Sequence, residues 1–463
     1  MKNLFSVAFV LFSLLSVSGC QAPNLNQIKE KSFSFLQSEK KSSKQGQADN
    51  SATTVPLEDI LSSSLASGDL GSDFKSVLQN ALEKDPVITS ARRNLEGRLS
   101  AIEVSKAGKD FQVAGTVYGG IEDVTDNTKG VAVVLNASKL VFDGGLLDER
   151  ISEQEYQAEA ARLDLHATLD SRAVRLGSIW IELQKYGALQ KLIENRLSVL
   201  DPLISQLERV AEAGIGDVSK VASAQRTVAE IRVAQTGIEE GLAQAKLNFI
   251  NAYGSLPGEV NYDPDFVSKL VPNEIVDDMV QKAPAIASKY AAYQANAARI
   301  RALMAKDDFN VDFEVRATRP FGGSGYDSDE SIGLVARKTI FNGGMLESEI
   351  EEAEAYFEGA AADIKAAYRE GALTVENARQ NIVSMDNAIL LARKNASLTS
   401  DEIIYLRQQL VIGGSTLESV LSAEARLYDA ESKEINFDAE KMKSELAIVG
   451  SLGLLTQSIG IMK

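Results

Sequence analysis

Lys139-Leu140-Val141-Phe142-Asp143-Gly144-Gly145 recurs as Lys338-Thr339-Ile340-Phe341-Asn342-Gly343-Gly344, a shift of 199 positions. In both copies a β-branched and aromatic run meets a double glycine, and a long Ala-, Leu- and Glu-rich segment follows. Phe142, Gly144 and Gly145, and again Phe341, Gly343 and Gly344, therefore mark junctions from strand to helix. At the same shift Gly214 matches Gly413, Val221 matches Val420 and Ala224 matches Ala423. Upstream, Lys84, Pro86, Ile88 and Ser90 match Lys282, Pro284, Ile286 and Ser288 at a shift of 198. Sixty-nine residues separate Gly145 from Gly214, and 69 separate Gly344 from Gly413. The chain thus reads as two internal repeats, 73–271 and 272–463, each carrying a rod of the same length.

The 463 residues are 44% hydrophobic, with 9 Pro and 1 Trp, a balance that favours long helices. With 65 acidic against 48 basic residues the formal net charge is −17, which argues against nucleic acid as a partner. One histidine and one cysteine leave no ligand-spaced metal cluster and no nucleophile–base pair, so neither enzyme nor cofactor is expected. His166 reads as a surface imidazole without a partner. Trp180 lies beside a helical apolar row and reads as packing.

Phe309, Val311, Phe313 and Val315 alternate with Asn310, Asp312, Glu314 and Arg316, which gives a strand with one apolar and one charged face. The first copy is fainter: Val113, Val117 and Ile121 share parity, with Gly115 and Gly119 between them. A polar turn follows each, then a second strand, expected over Val131–Phe142 and Ile332–Phe341. Four strands cannot close a barrel, which takes about eight. Either the sheet packs on the helices, or other copies of the chain complete a barrel with Asp312, Glu314 and Arg316 facing water inside it. Tyr118, Phe321 and Tyr326 lie near strand ends, where an aromatic girdle would sit.

From Leu146 to Ala213 the only proline is Pro202, and a helix of that length spans roughly 100 Å at about 1.5 Å per residue. Leu169, Leu176, Leu183, Leu197 and Ile204 follow a seven-residue period broken at Gln190, and Ile179, Tyr186, Ile193, Leu200 and Leu207 form a second row. Val375, Ile382, Ile389, Ile403 and Leu410 repeat the pattern, beside smaller Ala378, Met385, Ala392 and Leu406. These are coiled-coil seams. Periodicity alone favours an antiparallel coiled-coil spacer without a pore. Turns at Gly214-Ile215-Gly216 and Gly413-Gly414-Ser415 end the rods, and antiparallel helices return over Val218–Tyr253 and Leu417–Leu452.

At the start, Lys2, an apolar run from Leu4 to Leu15, and Val17-Ser18-Gly19-Cys20 have signal-peptide architecture. The ending resembles a bacterial lipobox, which implies cleavage after residue 19, acylation of Cys20 and, with Gln21 next, sorting to the outer membrane. Residues 20–72, rich in Ser, Gln, Lys and Gly, read as a flexible tether with a short helix near Leu57–Leu61.

Taken together, the paired Phe142-Asp143-Gly144-Gly145 and Phe341-Asn342-Gly343-Gly344 junctions, Ala283-Pro284, and Ser415 to Ala423 with Leu427-Tyr428 resemble the TolC-like outer-membrane efflux and secretion proteins. The resemblance runs from about Leu78 to Leu455. It implies a mixed α/β membrane protein: a homotrimer whose twelve strands, four per chain, form one barrel in outer-membrane lipid. A long antiparallel coiled-coil tunnel of α-helices would continue it across the periplasm. It implies a periplasmic membrane-fusion adaptor and an inner-membrane ABC or RND transporter as partners. By position, Gly214, Ile215, Gly216, Gly413, Gly414 and Ser415 become adaptor-docking tips. Where some relatives narrow the periplasmic mouth with acidic side chains, this chain has Ser419 and Ser422, with Glu418 and Glu424 nearby. Two cargoes fit: polypeptide in type I secretion, towards which Gly414–Glu431 leans, and small compounds in a multidrug efflux pump. A lipid-anchored periplasmic coiled-coil scaffold is the reading of another class.

Overall fold

A computed structural model describes residues 57, 73–123, 128–214, 218–258, 261–321 and 327–461. Apart from Leu57, which is helical, these all fall in one compact unit that runs from Ala66 to Lys463. Signal, Cys20 and nearly all of the tether lie outside the described residues.

Two short helices open the unit. Asp73 caps α1 (Phe74–Lys84) by accepting from Ser76 N at 2.8 Å. Asp85 caps α2 (Pro86–Ala107) by accepting from Val87 N at 2.8 Å, with Pro86 at the first position, where its missing donor costs nothing. Strands β1 (Gln112–Asp123) and β2 (Thr128–Phe142) follow, then α3 (Leu146–Glu212) and the return helix α4 (Val218–Tyr253). After short α5 (Pro264–Ser268) and α6 (Asp277–Gln281), α7 (Pro284–Ala305) leads into β3 (Asn310–Phe321) and β4 (Asp329–Arg337). Helices α8 (Met345–Val411), α9 (Leu417–Ser451) and α10 (Leu454–Ile459) complete the chain.

The rods α3 and α8 are each 67 residues long, and Pro202 lies inside α3 without ending it. Their seams are buried as the heptad rows require. Ile193, Leu200, Ile204 and Leu207 of α3 pack with Ala224, Val228, Ile231 and Ile238 of α4. At the break in the row, Leu189 joins this cluster in place of Gln190. Val375 and Ala378 of α8 meet Ile448 of α9 and Leu452, the residue that ends it. Trp180 is fully buried midway along α3, edge-on to Phe74, Phe249 and Tyr253 at 5.0–5.2 Å between ring centroids. It is packing, as its place beside the apolar row suggested.

The strands form one antiparallel sheet in the order β1-β2-β3-β4, so the two halves of the chain meet through β2 and β3. Helix α3 packs on α7 and α9 as well as on α4, and the halves are not separate bodies. One expected boundary is corrected. The second strand of the second half spans Asp329–Arg337 rather than Ile332–Phe341, because β3 begins at Asn310, the partner of Arg337, and nothing carries the strand further.

Candidate functional site

Register fixes which side chains share a face of the sheet. Val113, Gly115 and Val117 of β1 pair with Ala137, Leu135 and Val133 of β2. Those pair in turn with Val315, Ala317 and Arg319 of β3, and Val315 pairs with Ile332 of β4. This face is apolar and lies open: Val113, Val117, Leu135, Ile332 and Leu334 are all exposed. Among the described residues its one ion pair, Arg319 with Glu330, sits towards the turns. The opposite face carries Asn136, Ser138, Asp312, Glu314, Arg316 and Arg337. There Arg337 reaches Asp312 at 3.1 Å and Glu314 at 2.5 Å. Phe321 lies on the apolar face at the end of β3, where a girdle residue belongs. Tyr118 does not: its partner is Ala132, so it shares the polar face, and its girdle assignment is corrected by parity. Tyr326 lies outside the described residues.

Both junctions turn on double glycines with left-handed backbones, φ +67° and +91° at Gly144 and Gly145 and +74° and +83° at Gly343 and Gly344. Two successive positive φ angles are open to glycine at little cost and to other residues only with strain. The junctions differ in their caps. Asp143 accepts from Gly145 N at 3.0 Å and from Leu147 N at 2.7 Å, whereas no side chain caps α8. Phe142 and Phe341 are both exposed.

At the far end, α8 closes in a Schellman turn: Gly413 N donates to Leu410 O at 3.3 Å and Gly414 N to Gln409 O at 2.8 Å. Gly413 takes φ +78° and Gly214, ending α3, takes +63°. Gly414 has no positive φ. Ser415 Oγ donates to Leu406 O at 2.7 Å, and Thr416 caps α9 by accepting from Ser419 N at 3.2 Å. The Ser419 hydroxyl lies 2.9 Å from that of Thr416, so it is engaged in the cap. Glu418 and Ser422 stand half-buried in the first turns of α9. Ile215 and Gly216 lie outside the described residues.

Two features escape sequence reading. Glu424 is only 2% exposed and meets Arg407 of α8 at 2.6 Å and Arg196 of α3 at 3.3 Å. Arg196 also grips Glu431 at 2.6 Å. Three helices near the tips are thereby fastened by charge, across sequence distances that no local pattern reports. The second feature is a correction. His166 is buried, not a surface imidazole, with Nε2 3.2 Å from Asp170 Oδ2 but out of hydrogen-bond alignment. Asp170 accepts from Thr456 N at 3.0 Å and Thr456 Oγ1 at 2.9 Å, pinning α10 to α3. Burial pushes the Asp170 carboxyl up to about 6, against the pull of its Thr456 donors, and burial also lowers the His166 pKa. Acidic spacing on a helix says nothing about what a distant C-terminal turn brings to it.

Among the described residues no helix is long and apolar enough to cross a membrane, and no group of three or more His, Cys, Asp or Glu could hold a metal ion.

A family model described as outer membrane efflux protein matches residues 276–454. The chain is 26% identical over 144 residues to the outer membrane protein TolC of Escherichia coli (strain K12), covering 30% of this chain and 29% of that one. It is 23% identical over 356 residues to the TolC of Salmonella enteritidis, covering 73% and 64%. The chain thus matches less than two thirds of the length of either relative. Its backbone superposes on CusC, solved in a study of transmembrane channel formation, with a TM-score of 0.70 at 17% identity, covering 82% of this chain and 91% of that one. The resemblance carried by the paired junctions is borne out, and the fold is TolC-like. The matched family and the solved neighbours are channel proteins, not enzymes.

Proposed function

We propose that this relative of the TolC-like outer-membrane efflux proteins is the outer-membrane exit duct of an envelope-spanning export system. The observation that carries the reading is the sheet: an open apolar face, a charged reverse face, and two unpaired edge strands. A soluble scaffold would gain nothing from Val113, Val117, Ile332 and Leu334 left in water. Three copies, edge to edge, give twelve strands, with the apolar face to lipid and Asp312, Glu314, Arg316 and Arg337 lining a wet passage. The paired 67-residue rods extend that passage through the periplasm as a coiled-coil tunnel.

The turns at Gly214–Gly216 and Gly413–Ser415 are the docking tips for a periplasmic adaptor, beyond which an inner-membrane ABC or RND transporter supplies the energy. Glu418, Ser419 and Ser422 sit where the mouth narrows, and Cys20, acylated, anchors the mature chain to the outer membrane. We read the cargo as polypeptide in type I secretion, on the likeness of Gly414–Glu431 to that branch. The description of the matched family as efflux proteins favours small amphipathic compounds as the second reading. Single-channel recording of the detergent-extracted protein in planar bilayers is the test: stable unitary conductance is expected, and its absence overturns the duct. In a strain lacking the chain, a retained secreted polypeptide with unchanged dye efflux supports secretion, and the converse overturns it.

A further inference from the structure

We infer that β4 pairs with β1 of a second copy in one defined register, which places Ala336 opposite Val117 of the partner subunit and Leu334 opposite Gly119 of the partner subunit. The inference rests on reading the sheet as one third of a barrel, and adds what that reading leaves open. Apolar and polar faces stay matched under any even slip, so face chemistry alone does not choose a register.

Internal duplication does choose. The register of the first hairpin reappears in the second: Gln112 pairs with Ser138 as Asn310 pairs with Arg337, Gly115 with Leu135 as Phe313 with Leu334, and Val117 with Val133 as Val315 with Ile332. First strands correspond at a shift of 198 and second strands at 199, pair after pair. Moving round the sheet, the next pairing is β2 with β3, where Ala137 meets Val315, Leu135 meets Ala317 and Lys139 meets Phe313. Its counterpart is β4 with the first strand of another chain. The same two shifts turn Ala137–Val315 into Ala336–Val117, Leu135–Ala317 into Leu334–Gly119, and Lys139–Phe313 into Lys338–Gly115.

A second observation agrees. Strand β2 continues past Ser138, the last of its residues paired with β1, because β3 carries it on the other side to Phe142. Strand β4 stops at Arg337, the last of its residues paired with β3. The residues beyond it, equivalent to Lys139–Phe142, leave Ile340 94% and Phe341 87% exposed. What they lack is the strand that β3 provides for β2. Pairing with a second copy restores it, extends β4 to Phe341, and sets Phe341 opposite Val113 of the partner subunit. Strand β1, Gln112–Asp123, has none of the prolines or lysines that blunt a free edge.

Cys20 is the only cysteine, and in the proposed function its thiol is taken up by acylation, so engineered pairs in the otherwise unchanged chain report unambiguously. The full-length chain carrying Val117→Cys with Ala336→Cys is oxidised in outer membranes, alongside Val117→Cys with Ile332→Cys. The latter thiols stand about 13 Å apart along the strand in this register. The expected result is a shift from monomer to covalent dimer and trimer for the first pair and none for the second, since direct partners come within disulfide reach. Stronger linking of the second pair overturns the register while leaving the barrel standing. The pair Gly115→Cys with Lys338→Cys repeats the test two residues further along, at the next position on the same face. Should neither expected pair link in protein that still migrates as a heat-modifiable trimer, the register is wrong. If the unoxidised chains migrate as monomers throughout, the barrel reading falls with it.

Discussion

Glu424 Oε1 accepts from Arg407 Nη2 at 2.6 Å, which fastens the first turns of α9 to the end of α8. Its other oxygen faces Arg196 Nη1 of α3 at 3.3 Å, so one buried carboxylate joins three helices just above the tips. A carboxylate withdrawn from water is tolerable only while its partners stay in place.

The order of damage follows from which charge is stranded. Replacing both Arg196 and Arg407 by Met leaves Glu424 buried alone and should destabilise the tip by about 3–5 kcal/mol. Glu424→Gln strands little, because Arg196 keeps Glu431 and Arg407 is partly exposed, and should cost less. Amide exchange across residues 417–431 measures both. Equal exchange in the two variants would refute the fastening role.

Gly413→Val should be costly and Gly414→Ala close to neutral, although both glycines sit in the same turn. Only Gly413 has a left-handed backbone, and no atom lies within 4 Å of its missing Cβ, so the cost is backbone strain of about 1–2 kcal/mol. An alanine Cβ at Gly414 would meet Gln409 at ordinary contact distance, 3.6 Å. Adaptor capture on beads should fall with Gly413→Val or with the same change at Gly214. Capture and export at wild-type levels with both glycines replaced would remove the tips from the docking surface.

Helices α3 and α9 approach closely through a reciprocal pair of glycines. A Cβ on Gly177 would stand 2.7 Å from Leu446 Cδ2, and one on Gly450 would overlap Val174 Cγ2. A helical valine has little rotamer freedom to retreat. Gly450→Ala should therefore lower stability by about 1–3 kcal/mol, read as a lower thermal midpoint, whereas Gly187→Ala, with open space, should not. Equal midpoints would mean the helices separate at no cost.

Between pH 4 and 6 the folded chain should lose stability as pH rises, through Asp170. Its carboxyl titrates near 6 when folded and in the ordinary range when unfolded, so the folded state holds the extra proton across that window. The loss amounts to about 3 kcal/mol at most. His166 acts the other way: its lowered pKa means that stability falls as pH drops below about 6.5. Asp170→Asn removes the first term, so the thermal midpoint should fall less, or rise more, between pH 4 and 6 than in wild type. Identical slopes in variant and wild type would exclude Asp170 as the titrating group.

Much of the architecture was legible because it is periodic. The double-glycine junctions, the seven-residue rows in α3 and α8, the return helices to within a residue or two, and the two-residue alternation of β3 are all local properties of the chain. Periodicity is written into neighbouring residues, and one face of a helix or strand is enough to reveal it. Where reading went astray, the deciding partner was distant in sequence. His166 is buried because α10 folds back over α3, Glu424 because two arginines from other helices close on it, and β4 ends at Arg337 because β3 begins at Asn310, its partner. Tyr118 changed faces because parity had to be counted from the register with β2.

The amino-acid sequence by itself determined which segments are rods and strands, how long they are, and that the plan is made twice. Tertiary structure alone decided which face of the sheet is apolar across all four strands, where buried charge is neutralised, and which edges stay open. Those outcomes depend on pairing and burial between residues far apart along the chain, and water is excluded only once they have met.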